Sequence, residues 1–249
     1  MSGRRLPNSG RVLHAAVAGF SAVLVGNGLG RFAYTPLLPA LISEHWFSPS
    51  AAAYLGAANL AGYLAGAVLG HPVTRYVRPA WLLRGMMFLT AASLVACADR
   101  DFGFGWFFVW RFISGYTGGV LMVVGAPLVL SATPPHRRGL VGGLMFTGVG
   151  LGIASSGIIV PQLLAWGGLE RAWIGLGAVS LVLTLIAWNG WPRQQTELSA
   201  GGPVRGALGL PISVLLVEYG LNAVGLVPHM LFLVDFVARG VLERWNHKH

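Results

Sequence analysis

The sequence predicts an all-α membrane protein with about seven transmembrane helices, and two observations support this fold class. Of the 249 residues, 55% are hydrophobic and only 10% are charged, whereas soluble domains carry about 25% charged residues. The apolar residues also form long runs, and a helix needs about 20 apolar residues to cross about 30 Å of hydrocarbon. Because lipid offers the backbone no hydrogen-bond partners, such runs must fold as helices.

Short polar connectors divide the apolar runs into seven predicted spans. The spans cover residues 12–42, 51–69, 80–98, 105–131, 140–164, 172–188 and 208–236. The longest connector is rich in Gly, Pro, Arg, Gln and Ser and has no apolar periodicity, which is typical of a linker. We therefore predict an N-terminal six-helix transmembrane bundle over residues 1–188, a cytoplasmic linker over 189–207, and a seventh helix with a polar tail over 208–249.

The distribution of arginines predicts that the N-terminus is cytoplasmic, because Lys and Arg of short loops are retained on that side. With this orientation the outside connectors hold only Arg100 and Arg171. The inside set is Arg4, Arg5, Arg11, Arg75, Arg78, Arg84, Arg137, Arg138, Arg193 and Arg205. Since the cations are scattered between apolar runs, topology explains the net charge of +9, and we expect no nucleic-acid partner. Aromatic residues at span ends, including Trp106, Phe107 and Phe108, are predicted interface anchors.

Small residues recur at four-residue spacing in three of the predicted spans. In lipid this spacing lets two helix backbones approach closely, so packing is the simpler interpretation. The same glycines would also allow helices to slide or bend, and both interpretations hold together. The stripes are Ala58, Gly62, Gly66 and Gly70; Gly115 and Gly119; and Gly148, Gly152 and Ser156.

Three ionisable residues stand out because they lie deep inside the spans, where a charge costs about 2.5 to 3.5 kcal/mol on insertion scales. Arg31 and Arg111 are long enough to lift their charged groups to the outer interface. Glu218 is shorter, so it needs an interior location, a protonated state or a cationic partner. Tyr34, Asn59 and Asn222 are polar span residues that either hydrogen-bond neighbouring helices or contact a ligand.

The sequence contains no pattern typical of an enzyme or a metal site. Cys97 is the only cysteine, and the seven histidines show no HExxH or similar ligand spacing. No nucleophile and base pair stands out within the spans. We therefore expect no enzymatic activity, no cofactor and no metal.

Three stretches resemble signatures of the major facilitator superfamily, and within it those of the YbfB/YjiJ-type transporters. The stretches are GLGRFAYTPLLP at 28–39, YLGAANLAGY at 54–63 and WRFISGYTGG at 110–119. The resemblance implies a multi-pass protein of the bacterial inner (plasma) membrane, with the six-helix N-terminal bundle of that fold plus one helix of its second half. It also implies that Arg111, which Gly115 follows four residues later, is the intramembrane arginine associated with proton coupling.

The implied function is secondary active transport of a small organic solute by alternating access, with protons as the coupling ion. We hypothesise that Arg31 and Arg111 face a shared cavity in the outer half of the bilayer and favour an anionic or carboxylate-bearing solute. The predicted substrate and proton pathway comprises Arg31, Tyr34, Asn59, Arg111, Gly115, Glu218 and Asn222. The expected partners are the lipid bilayer, the solute and protons.

Several alternatives can be weighed on the same sequence. A seven-helix receptor or retinal protein would place the N-terminus outside, and a retinal protein needs a lysine in its last helix, whereas no lysine precedes Lys248. A membrane-embedded enzyme would need a catalytic set within the spans. Superfamily members usually have twelve spans, so an apparently truncated, non-transporting remnant of such a transporter stays open.

Overall fold

The computed structural model describes residues 9–192 together with residues 214, 217, 218 and 221. The chain divides into two compact units, Met1–Thr196 and Glu197–His249. In the second unit the four described residues are helical, and the rest of the predicted seventh span lies outside the described residues.

Seven α-helices, two π-helical segments and two three-residue 3-10 turns, Arg100–Phe102 and Pro135–Arg137, form the described part of the first unit, and no strand occurs in it. One π-helical segment continues α1 into α2, and the other joins α5 to α6. The elements are α1 Ser9–Val23, π-helix Leu24–Phe32, α2 Tyr34–Ser43, α3 Pro49–Val73, α4 Pro79–Ala96, α5 Gly103–Val120, π-helix Leu121–Gly125, α6 Ala126–Ser131 and α7 Arg138–Ala187.

Five helical stretches of residues 9–192 are long and apolar enough to cross a membrane. They are Gly10–Ser43, Pro49–Val73, Pro79–Ala96, Arg100–Ser131 and Pro135–Ala187. The first four correspond to the first four predicted spans. These helices confirm the prediction of an all-α membrane protein.

The fifth stretch contains two spans, because α7 breaks at Gly167 and Gly168. Both glycines have non-helical backbone angles, and the φ of Gly168 is +70°, a region that glycine enters without a steric penalty. A straight helix over Pro135–Ala187 would extend about 80 Å at about 1.5 Å per residue, far more than the hydrocarbon thickness of about 30 Å. The two arms, 138–166 and 169–187, match the fifth and sixth predicted spans.

Prolines and one serine fix where two of the spans begin. Pro49 and Pro79 occupy the first turns of α3 and α4, where the missing N–H has no helical partner to lose. The Ser48 hydroxyl accepts a hydrogen bond of 3.2 Å from the Ala51 amide, which satisfies a free donor at the start of α3. The connectors between spans are therefore short and sharply bounded.

Glycines allow α3 and α5 to pack with their backbones in contact. A methyl group at Gly62 or Gly66 would overlap the α5 backbone, and one at Gly115 or Gly119 would overlap the α3 backbone. The Cα atoms of Gly28 and Gly152 meet in the same way between the first π-helical segment and α7. The packing interpretation of the small-residue stripes is confirmed at these positions.

Two apolar clusters fill the bundle, one towards each end of the spans. The first includes Val12, Met87 and Val120, and the second includes Leu41 and Phe107. Phe107 is fully buried against the rings of neighbouring aromatic residues, so its prediction as an interface anchor is wrong. Its ring completes the second cluster instead.

Candidate functional site

A layer of buried polar side chains lies between the two apolar clusters. In α5, for example, Phe107 belongs to one cluster, Val120 to the other, and Arg111 lies between them. The same order is found along the other spans. The layer comprises Asn27, Asn59, Thr90, Ser93, Arg111, Ser114, Thr117, Ser156, Ser180 and Thr184.

Arg111 is the charged member of this layer, and its side chain is only 2% exposed. Its Nη1 donates a hydrogen bond of 3.0 Å to the Gly30 carbonyl, and its Cζ lies 4.2 Å from the centre of the Tyr34 ring. Its Nε has no hydrogen-bond partner among the residues that the structure describes. Within the described part of the chain, Arg111 therefore contacts a carbonyl dipole and an aromatic face but no carboxylate.

The Gly30 carbonyl receives donors from two other spans. Besides Arg111, the Ser114 hydroxyl donates to it at 3.1 Å and the Asn59 Nδ2 at 3.4 Å. The Asn59 Nδ2 also donates to the Arg111 carbonyl at 3.1 Å. Gly30 lies in the first π-helical segment, an irregular backbone type that is common at functional sites. This one oxygen thus joins the first span to α3 and α5.

Tyr34 extends the site from Arg111 towards α7. Its hydroxyl donates a hydrogen bond of 2.7 Å to the Ala52 carbonyl, which fixes the ring against α3. The ring centre lies 6.4 Å from that of Trp173, which belongs to the second arm of α7. Trp173 is 1% exposed, and its indole Nε1 has no hydrogen-bond partner among the described residues.

Arg31 occupies a separate aromatic environment. Its Cζ lies 5.0 Å from the centre of the Tyr63 ring and 5.3 Å from that of Phe32, and its side chain is partly buried. Arg31 and Arg111 therefore lie against different rings, although Arg111 binds the carbonyl of the residue that precedes Arg31. Interactions of each cation with an aromatic face stabilise it in an apolar setting.

Hydroxyl groups continue the polar layer from α5 into α4. The Thr117 hydroxyl donates to the Ser114 carbonyl at 2.8 Å and lies 2.8 Å from the Thr90 hydroxyl. Ser114, Thr117 and Thr90 were not predicted from the sequence. The spacing of Arg111, Ser114 and Thr117 in steps of three could have indicated the two α5 residues, because such residues share one face of a helix.

The structure brings several predicted pathway residues together. Arg111, Tyr34 and Asn59 are joined by the contacts above, and Gly115 packs against the backbone carbonyl of Asn59. Because Arg111 is buried, the alternative in which it extends to the outer interface does not apply. Arg31 lies apart from these three residues, with its guanidinium over the Tyr63 ring.

Two predicted pathway residues belong to the second unit. Glu218 is helical and exposed there, and Asn222 lies outside the described residues. Their roles, like those of the other pathway residues, stay predictions.

The site combines one cation with hydroxyl, amide and carbonyl groups that donate or accept hydrogen bonds. In an apolar bundle an unneutralised cation attracts a negative charge strongly. No group of three or more His, Cys, Asp or Glu residues that could hold a metal ion occurs in the part of the chain that the structure describes.

An apolar helical bundle with a buried polar layer around an arginine is typical of an integral membrane protein that holds a polar site between its spans. The particular family follows from comparison with known sequences. Residues 23–249 match the protein family described as "Uncharacterised MFS-type transporter YbfB". The chain belongs to this family of the major facilitator superfamily, as the sequence motifs predicted.

Two relatives show the extent of the similarity. The chain is 23% identical over 168 residues to "Uncharacterized transporter YgaY" of Escherichia coli O157:H7, a match that covers 68% of this chain and 42% of that protein. It is 37% identical over 75 residues to "Uncharacterized MFS-type transporter Rv2994" of Mycobacterium tuberculosis H37Rv, covering 30% of this chain and 17% of that protein. The chain thus spans less than half the length of these relatives.

Proposed function

We propose that this chain acts in proton-coupled secondary transport of a small anionic organic solute by alternating access. The observation that carries the proposal is Arg111, a fully buried cation that has no acidic partner among the described residues. Removing a charge from water costs several kcal/mol even after relaxation. Ionisable residues at such positions in membrane proteins mark solute or proton pathways.

The contacts of Arg111 suit a group whose partner changes during a transport cycle. Its bonds go to the neutral Gly30 carbonyl and to the face of Tyr34, and both are weaker than an ion pair with a desolvated carboxylate. An incoming anion can therefore compete for the guanidinium. Because Gly30 belongs to the first span, such competition would change how α5 is held against that span.

Proton coupling follows from the same competition. A solute carboxylate or an acidic side chain near Arg111 would be ionised when it faces the guanidinium and protonated when it is drawn away from it into an apolar setting. Glu218 and Asn222, which belong to the second unit, stay pathway residues predicted from the sequence. The residues of the first unit in this pathway are Arg31, Tyr34, Asn59, Arg111 and Gly115.

The proposed arrangement in the membrane follows from the arginine distribution. The N-terminus and the linker over 189–207 lie on the cytoplasmic side of a bacterial inner membrane, residues 1–188 form the six-helix bundle, and 208–249 add the seventh helix. The close glycine contacts of α3 with α5 would permit small sliding motions between these helices.

Proton movement in membrane vesicles tests this proposal. The full 249-residue chain is reconstituted in liposomes with a pH-sensitive dye inside, and benzoate, succinate and glutamate are added in turn, with benzamide as a neutral control. Membrane-permeant benzoic acid is corrected for with protein-free liposomes. We expect at least one anion to move protons at a rate above that of protein-free liposomes, whereas benzamide does not. Equal rates with and without protein for every anion would contradict the proposal.

A further inference from the structure

Two side chains beside the Tyr34 ring, Arg111 and Trp173, each carry a buried N–H group without a hydrogen-bond partner among the described residues. The Cζ of Arg111, in α5, lies 4.2 Å from the centre of the Tyr34 ring, and the ring centre of Trp173, in α7, lies 6.4 Å from it. The Arg111 Nε and the Trp173 Nε1 are both buried, and neither has a hydrogen-bond partner in the described part of the chain. Buried donors of native proteins are paired in the great majority of cases, and five buried side-chain atoms lack a partner among the described residues. Two of them, the Arg111 Nε and the Trp173 Nε1, belong to side chains that both lie beside the Tyr34 ring, and this pairing points to a ligand.

We propose that Arg111 and Trp173 together bind the carboxylate group of a small solute, with the Tyr34 ring contacting its apolar body. This inference rests on the proposed function and narrows the solute to monocarboxylates that carry a compact apolar or aromatic group. Trp173 is then a specificity-determining residue, because its N–H forms a hydrogen bond with a solute that places an acceptor atom there and stays unpaired with a solute that places an apolar group there.

The donor chemistry selects a carboxylate over other small groups. A guanidinium and an indole N–H can only donate, and an ionised carboxylate only accepts, through two oxygens that can serve two donors at once. A primary amide presents one acceptor oxygen and an NH2 group. Its NH2 group only donates, so it would face one of the two N–H groups of the site without forming a hydrogen bond. The charge of Arg111 adds a second preference for the anion.

The surroundings of the two donors select a small apolar body. Trp173 and Tyr34 belong to the second apolar cluster, together with Leu38, Leu41 and Phe107. A solute with further charges would bury them against these side chains without partners, at a cost of several kcal/mol. Di- and tricarboxylates are therefore excluded by the same contacts that accept a monocarboxylate.

The position of Trp173 in α7 suggests how a solute reaches it. Trp173 lies five residues after Gly168, whose φ of +70° marks the break between the two arms. A change of backbone angles at the two glycines would move the second arm, and with it the indole, relative to Tyr34. The binding site would then open without unfolding either arm.

The indole N–H signals of the nine tryptophans provide a direct test. The full chain is labelled with 15N-tryptophan in lipid nanodiscs, and the Trp173→Phe variant assigns the signal of Trp173. We expect benzoate to shift this signal downfield in a saturable way, and benzamide to leave it in place. The matched control is Trp166→Phe, which changes a tryptophan that is 81% exposed.

Binding affinities give the second measurement. Hydrogen bonds to charged groups contribute about 1.5 to 3 kcal/mol, so we expect Trp173→Phe to weaken benzoate binding by at least about tenfold. Trp166→Phe should bind like the wild type. If Trp173→Phe does not fold, the signal of Trp173 in the wild-type spectrum, then identified by site-specific labelling, decides alone.

Three results would overturn this inference: an unmoved Trp173 signal at saturating benzoate, an equal shift with benzamide, or wild-type affinity in a folded Trp173→Phe variant. Proton movement with succinate or glutamate but not with benzoate would support the proposed function and contradict the proposed monocarboxylate site. Conversely, a benzoate-dependent signal without proton movement would support the site and contradict coupled transport.

Discussion

Arg111 is the residue on which the proposed function most depends, because its contacts with the described part of the chain are all to uncharged groups. A buried cation of this kind lowers stability relative to an apolar side chain of similar size, unless an anion neutralises it. Packing alone would favour a thioether or an aliphatic side chain at this position, and this supports the proposed role of Arg111 in transport.

We predict that Arg111→Met does not destabilise the free protein. Replacement of buried ionic groups by apolar residues of similar volume is often neutral or stabilising by about 1 to 4 kcal/mol. The measurement is thermal unfolding in detergent with a thiol-reactive dye, because Cys97 is the only cysteine and is buried. A melting temperature well below that of the wild type would show that Arg111 is a structural residue.

At the level of single residues the sequence predicted Arg111, Tyr34 and Asn59, because a charge or a polar group inside an apolar run stands out. It could not predict the Gly30 carbonyl, since every residue has a carbonyl and only the fold decides which one is reached by three donors. Trp173 was missed for a related reason. A tryptophan in an apolar span is ordinary until its N–H proves to be buried without a partner.

Among the elements, the pair α3 and α5 depends most directly on its sequence. Their glycines place one backbone against the other, and in lipid such close packing is a main source of helix association. The same contact sets the position of Asn59, whose side chain binds the Gly30 and Arg111 carbonyls. The geometry of the Asn59 hydrogen bonds therefore depends on the close packing of α3 against α5.

We predict that Gly115→Ala destabilises the bundle by more than about 2 kcal/mol, at the upper end of overpacking effects. The added methyl group would meet the Asn59 carbonyl oxygen, a backbone atom that cannot rotate away. Gly157→Ala is the matched control, because it lies in a helix with no atom within 4 Å of the new group. Dye-monitored unfolding should show a lower melting temperature for the first variant only.

Equal melting temperatures for Gly115→Ala and Gly157→Ala would contradict the proposed contact.

The pairing of the helices and the π-helical segment of the first span could not be predicted from the sequence. Four-residue spacing of small residues predicted which faces pack, but not which helix each face meets. The π-helical segment at Leu24–Phe32 was not predicted, because its hydrogen-bond pattern depends on contacts such as those of Gly30 with α3 and α5.

Across the whole first unit, a polar layer separates two apolar clusters. Apolar side chains at both ends hold the helices together, while the layer between them supplies hydrogen-bonding groups and one cation. The sequence predicted the spans well, because hydrophobic length is a direct consequence of bilayer thickness. It could not predict the layer, which appears only when the spans are aligned side by side.

The orientation of the molecule gives a prediction at this scale. In a Cys97→Ser background, we expect Asp101→Cys to react with a membrane-impermeant maleimide added to intact cells. Tyr76→Cys should react only after permeabilisation, because its connector carries Arg75 and Arg78 and is predicted to be cytoplasmic. Both side chains are exposed, so accessibility within the protein does not limit either reaction.

Labelling of Tyr76→Cys in intact cells, with Asp101→Cys protected, would reverse the proposed topology. The bundle itself would not be affected by that result. The assignment of an inner and an outer side to the Arg111 site would change.

The most direct test of the whole account is solute-driven proton movement in liposomes that contain either the wild type or Arg111→Gln. The glutamine removes the charge, and dye-monitored unfolding establishes beforehand that the variant is folded. We predict proton movement in the wild type and a rate at least about tenfold lower in the variant, which corresponds to a loss of about 1.4 kcal/mol in transition-state stabilisation. A folded Arg111→Gln protein that moves protons at the wild-type rate would contradict the account.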